Sequence, residues 1–403
     1  MPSIFDSFQK GKTQADDWGS KFEDIRSISN AFKEFFVEKS PDSFVTTQEV
    51  QRLSKLIGQM SNSELKSSFL PHIAVSGPQS VGKSVSAKQI VRELNKSFGT
   101  DYARYYTYNT KYFLDWWEET DFGPTQIVFL DDIYPAWSNL TPESFQQFRE
   151  RSNYDKIVII SITSRFERQL VKKSRDSSKL ENFDQIPFEF SFKCPSVNEI
   201  RNIIKRRTEV LGKPDYFSQD VLNEISIFSL GLPGFALWIA RQTISNLETQ
   251  ESGSVISTES VHKTAEYLGF IPALRLLMKY SLRKTQQPGL VNKYLVSPVL
   301  NPLKEAINEG SSTLTQYFTN IKDNTKSWEP ILKELLILKH DSKTGNIKRS
   351  DLQERTGIKE SSLTYQCQNL IKENIITYNK DGREVFYKLR SPMKEALELA
   401  FFG

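Results

Sequence analysis

Apolar residues along this chain follow two rhythms. Runs that are apolar nearly throughout, His72-Ile73-Ala74-Val75, Gln126-Ile127-Val128-Phe129-Leu130 and Ile157-Val158-Ile159-Ile160, read as parallel strands buried on both faces. The strand formers of Ala103–Tyr108 and the alternation of Phe188-Glu189-Phe190-Ser191-Phe192 predict two more. Between them the spacing turns helical: Val50, Leu53, Leu56 and Ile57 behind a capping box at Thr46-Thr47-Gln48-Glu49; Val85 to Val91; and a short piece with Phe113, Leu114, Trp116 and Trp117. Strands alternating with helices predict an α/β fold, a parallel sheet flanked by helices.

Ahead of this core, Phe22, Ile25, Ile28, Phe32, Phe35 and Phe36 make an aromatic helical stripe, either packed on the body or serving as a partner-binding arm. Beyond the core the chain is helical. A second capping box, Ser196-Val197-Asn198-Glu199, precedes Ile200, Ile203, Ile204, Val210 and Leu211, and Gly231-Leu232-Pro233-Gly234 interrupts before Phe235, Ile239, Ala240 and Ile244. Residues 281–326, punctuated by proline and glycine, read as a connector. Then come a helix with Trp328, Ile331, Leu332, Leu335 and Leu336, a short helix over Ser350 to Arg355, a turn at Gly357 and a third helix over Glu360 to Asn374. Asp381-Gly382 between two strand patterns signals a hairpin, and three helices with a hairpin predict a winged helix-turn-helix. The expected organisation is an N-terminal helical segment (1–45), an α/β core (46–194), a helical lid (195–280), the connector (281–326) and the winged module (327–403).

Composition is that of an ordinary globular protein: 403 residues, 25% charged and 38% hydrophobic, with a net charge of +4 too small to argue for nucleic acid by itself. Two distant cysteines and three histidines suggest neither a disulfide framework nor a metal cluster. With no leader and no membrane-length apolar run, the expected setting is cytoplasmic or nucleoid-associated, without membrane.

The chemistry concentrates where strands end. Gly77-Pro78-Gln79-Ser80-Val81-Gly82-Lys83-Ser84 matches GxxxxGK[ST] between a strand and a helix, the context that makes it a phosphate loop. Its main-chain N–H groups and the helix terminus would cradle phosphates, Lys83 would reach the β- and γ-phosphates, and Ser84 would hold Mg²⁺. Asp131 and Asp132 end a buried strand; Asp131 would hold Mg²⁺ and Asp132 would orient the attacking water. Thr163 or Ser164 is either a sensor hydroxyl or a strand-end cap. In the basic stretch Lys172, Lys173, Arg175 and Lys179, Arg175 is the candidate arginine finger toward a neighbouring copy, in self-association through the ATPase face; otherwise the stretch is solvated. The tryptophans Trp116 and Trp117 are either core or a partner contact. On the third helix of the winged module Ser362, Tyr365, Gln366 and Asn369 face outward and, with Arg383 on the wing, suit double-stranded DNA; the alternative is a winged helix used for protein contacts.

Together these motifs resemble the AAA+ superfamily. Gly77 to Ser84 looks like Walker A, Ile127 to Asp132 like Walker B, and the order of sensor strand, lid and winged helix is similar to the archaeal and eukaryotic origin-recognition ATPases. That resemblance implies ATP or ADP with Mg²⁺, and joint gripping of origin DNA by the ATPase and winged modules. Asp132 stands where the family has glutamate, one methylene shorter, which implies slow hydrolysis. The lid offers no arginine at Gly231 to Leu237; Arg241 follows a turn or two later. Leu130-Asp131-Asp132, Thr163-Ser164-Arg165 and Gly231-Leu232-Pro233 are also similar to motifs of STAND-type switch ATPases. That similarity implies a regulatory switch with the winged helix packed on the ATPase domain.

Overall fold

The computed structural model describes residues 26–33, 36–61, 72–107, 113–133, 140–164, 188–247, 256–285, 327–341 and 346–402. The basic stretch with Arg175, the positions Phe22, Ile25 and Phe35, and nearly all of the expected connector lie outside them. The described residues divide into two compact units. One runs from Thr46 to Pro195, with the residues from Leu397 onward; the other comprises those up to Val45 and those from Ser196 to Ala396.

In the first unit five strands form one sheet: β1 (His72–Gly77), β2 (Ala103–Thr107), β3 (Ile127–Asp131), β4 (Val158–Ser164) and β5 (Phe188–Ser191). All pair in parallel, in the order β2-β3-β4-β1-β5. Both faces of β1, β3 and β4 are covered, which is why these runs carry no polar alternation. His72 is accommodated by a 3.0 Å hydrogen bond between its Nε2 and Ser161 Oγ. Helices α1 (Gln48–Met60), α2 (Lys83–Phe98), α3 (Phe113–Glu119) and α4 (Pro142–Tyr154) flank the sheet. The N-cap of α1 is Thr47, whose Oγ1 accepts from Val50 N; Glu49, expected to complete a capping box, instead pairs with Arg52 at 2.6 Å.

An aromatic cluster fills one face of the sheet, where Phe113, Trp117, Phe122, Phe145 and Phe148 pack on Val128, Leu130 and Ile159. Trp117 is fully buried and Trp116 half-buried against Tyr106, so the two tryptophans are core. Arg151 closes this layer, donating to the carbonyl oxygens of Trp117 and Thr120.

The second unit holds α5 (Val197–Glu209), α6 (Gln219–Phe228), α7 (Pro233–Leu247), α8 (Thr258–Tyr267) and α9 (Phe270–Thr285). Ser196 and Glu199 form the capping box of α5. Leu230 and Gly231 take left-handed conformations, and Pro233 then opens α7, where its missing N–H costs nothing. The N-terminal stripe packs here. Ile28 and Phe32 are buried, Phe32 meets Phe217 edge-on, and Arg207 donates from Nη1 to Ala31 O at 3.2 Å. Burial holds the Arg207 guanidinium down to about 10.

The same unit contains α10 (Glu329–Asp341), β6 (Ile347–Lys348), α11 (Arg349–Thr356), α12 (Glu360–Lys372), β7 (Ile376–Asp381) and β8 (Glu384–Leu389). Helix, strand, two helices and a hairpin is the element order of a winged helix-turn-helix. The strands pair antiparallel in the order β6-β8-β7, and Asp381 opposite Glu384 leaves Gly382-Arg383 as the turn, with Gly382 left-handed. A final helix, α13 (Met393–Phe402), follows.

Leu363, Cys367 and Leu370 are the buried face of α12, as their spacing predicts. Burial pushes the Cys367 thiol up to about 11. The fold therefore disfavours the thiolate, so its contribution is complete below the free thiol's 9.0 and is lost as pH rises toward about 11. The urea midpoint should fall across that interval, and fall less in Cys367→Ala. Equal falls in both proteins would remove Cys367 as the cause.

Candidate nucleotide site and outer helix face

The phosphate-loop sequence leaves β1 and enters α2. Gly77 is the last residue of β1, where Phe192 N donates to Ser76 O at 2.7 Å and draws Phe192 against it. A Cβ on Gly77 would lie 2.7 Å from Phe192 Cβ and 2.9 Å from Phe192 O, so this glycine is required by space. Gly82 has open space around it but φ of +99, so it is required by conformation. Ser80 is also left-handed, at φ +62. Alternating hand in this way turns successive N–H groups of a loop toward one point, the geometry of an anion nest.

Lys83 folds back over the loop, its Nζ donating to Gly77 O at 3.0 Å and Pro78 O at 2.8 Å. Parallel pairing brings the other candidates to the same sheet edge. Ser164 lies directly beside Gly77 in register, and Thr163 beside Ser76. Asp131 is buried at the end of β3, while Asp132 is exposed, with left-handed φ of +53.

The sequence reading missed Tyr105 on β2. Its hydroxyl donates to Asp131 Oδ2, while Asp132 N donates to Asp131 Oδ1 at 3.0 Å. Burial, reinforced by the Asp131 bond, pushes the phenol well above its usual range and keeps it a donor. Ser84, at the start of α2, and Asp131, at the end of β3, offer a hydroxyl and a carboxylate, a hard oxygen set that fits Mg²⁺.

On the helix–hairpin module, Ser362 and Tyr365 are exposed, Gln366 and Asn369 half-buried, and Arg383 sits exposed in the hairpin turn. Ser327 Oγ and Gln366 Oε1 lie 3.3 Å apart. Near the C-terminal end of α12, Lys279 of α9 pairs with Glu373 at 3.6 Å and stands 5.2 Å from the centre of the Trp328 ring. Arg241 is exposed on α7. No helix among the described residues is long and apolar enough to cross a membrane.

No family model matches the chain, and no curated protein does. Among solved structures it is similar to the Orc1 protein of Aeropyrum pernix in complex with DNA, at 14% identity over 92% of this chain and 95% of that one, with a TM-score of 0.46. It is similar to Cdc6p of Pyrobaculum aerophilum, at 14% identity over 88% and 92%, with a TM-score of 0.31. A closed state of Hsp104 with ATPγS and FITC-casein is similar at 13% identity over 68% of this chain and 49% of that one, with a TM-score of 0.43. The sheet order, the loop after β1 and the acids ending β3 make the fold α/β, a five-stranded parallel sheet flanked by helices with a phosphate-loop sequence at its edge.

Proposed function

We propose that this chain binds ATP or ADP with Mg²⁺ and binds double-stranded DNA, as a nucleotide-switched ATPase of the replication-initiator type. The observation that carries the reading is one polypeptide holding both a P-loop site, with the Tyr105 hydroxyl on Asp131, and a helix–hairpin module with Tyr365 and Arg383 exposed. At the site, the N–H groups from Gly77 to Ser84 take phosphate oxygens, and Lys83 leaves its two loop carbonyls for the β- and γ-phosphates. Ser84 and Asp131 hold Mg²⁺, which supplies neutralisation of phosphate charge. Asp132 orients water for a slow hydrolysis, and Ser164 senses the terminal phosphate. Arg175 serves a neighbouring copy when the protein self-associates.

Ser362, Tyr365, Gln366 and Asn369 face the duplex. Lys348 and Arg349 are already paired with Glu384 and Glu360, at 2.9 and 2.8 Å. The charge toward phosphate therefore falls on Lys359, Arg383, Lys388 and Arg390, which form no ion pair with a described residue. A duplex-DNA mobility shift with and without ATP, at several salt concentrations, tests the reading. Arg383→Ala should weaken binding to all sequences alike and lower the salt slope by about 1, leaving hydrolysis unchanged. No shift at low salt in either nucleotide state would end the DNA reading.

A second reading, a STAND-type switch whose winged helix packs on the ATPase domain, draws on Leu130-Asp131-Asp132, Thr163-Ser164-Arg165 and Gly231-Leu232-Pro233. ADP that survives dialysis, together with no DNA shift, would select it.

A further inference from the structure

We propose that Tyr105 is a positioning residue of the nucleotide site, setting through its hydroxyl the orientation in which Asp131 meets Mg²⁺. The proposal rests on the nucleotide reading above and adds to it a residue outside both phosphate-site motifs.

Register places the phenol. β2 and β3 pair in parallel with Thr107 beside Asp131 and Tyr105 beside Phe129. Tyr105 and Asp131 are therefore on the same face of the sheet, one diagonal apart, a span that a tyrosine covers and a serine does not. The next residue points the other way. Tyr106 packs edge-on to Trp116 and Phe122, with ring centres 5.0 and 6.5 Å away, and this anchors the strand in the aromatic cluster. From above, Lys88 of α2 stands 5.3 Å from the centre of the Tyr105 ring. The ring is held between sheet and helix with only its hydroxyl left to choose a partner.

That partner is the carboxylate. Asp131 is 6% exposed, so each of its oxygens needs a donor from the protein or an ion. Asp132 N serves Oδ1 and Tyr105 serves Oδ2. Each oxygen keeps a second lone pair, so a carboxylate fixed in this way can still face a cation or its bound water. Phenylalanine at 105 would keep the packing and remove the tie. Partners that orient a metal ligand in this manner typically change metal affinity by about 10- to 100-fold.

The experiment is a titration of a fluorescent ATP analogue into the wild-type chain and Tyr105→Phe, first in EDTA and then at rising Mg²⁺. Affinity in EDTA should be the same for both. The Mg²⁺ concentration that half-maximally tightens binding should rise about tenfold in Tyr105→Phe. It should rise in Asp131→Asn as well, and the double variant should be no worse than Asp131→Asn alone, because the two residues act as a unit. Equal Mg²⁺ dependence in wild type and Tyr105→Phe overturns the proposal, as does a loss already complete in EDTA, which would make Tyr105 a support of the loop. A wild-type chain that takes up no nucleotide in either condition rejects the nucleotide reading itself.

Discussion

Lys83→Ala should reduce affinity for ATP by about 100-fold while the protein melts at nearly its original temperature. The lysine holds two loop carbonyls, at 3.0 and 2.8 Å, and would exchange them for phosphate oxygens. Hydrogen bonds to charged groups are worth about 1.5–3 kcal/mol each. Part of that is offset by the carbonyls released, so a net loss of about 3 kcal/mol is reasonable, and about 1.4 kcal/mol corresponds to a tenfold change. The fold does not depend on the ammonium, because it is half-buried at a loop rather than enclosed in the core. Calorimetric titration with ATP measures the effect. Unchanged affinity would mean that the nucleotide, if bound at all, sits elsewhere.

Gly77→Ala should destabilise the first unit by about 1–3 kcal/mol and abolish nucleotide binding along with it. The added methyl would lie 2.7 Å from one carbon and 2.9 Å from a backbone oxygen of Phe192, neither of which is the far end of a flexible chain. Phe192 cannot simply withdraw, since its N–H is the partner of Ser76 O. Relief therefore requires β1 and the chain after β5 to separate at the point where the loop begins. Gly82→Ala provides the contrast. There the methyl meets nothing within 4 Å and the penalty is purely conformational, roughly 1–2 kcal/mol at a left-handed position. Urea denaturation of the two variants should rank Gly77→Ala as the more damaging. The reverse ranking would show that β1 and Phe192 can move apart at little cost.

Much of this was legible in residue order. Strands covered on both faces announce themselves as unbroken apolar runs, so β1, β3 and β4 appear where His72, Ile127 and Val158 begin. The phosphate loop and the acids ending β3 need only local context. What stayed hidden depended on pairing. Tyr105 and Tyr106 are indistinguishable until strand register sends one to Asp131 and the other into the aromatic cluster. Phe192 acquires its meaning only when β5 lies beside β1. β6 is two residues long and has no periodicity to detect. α13 did carry a signal, with Met393, Ala396, Leu397 and Ala400 buried at helical spacing, but the reading stopped at the hairpin. At Thr47, two adjacent threonines allowed the cap to be placed one residue early.

Lys279 has a consequence for how the helix–hairpin module is held. It is nearly enclosed, reaches across the Trp328 indole and touches Glu373 just past the last turn of α12. The ion pair and the ring contact couple that end of α12 to α9. The clasp leaves the exposed side of α12 around Ser362 and Tyr365 uncovered, together with the hairpin tip at Arg383.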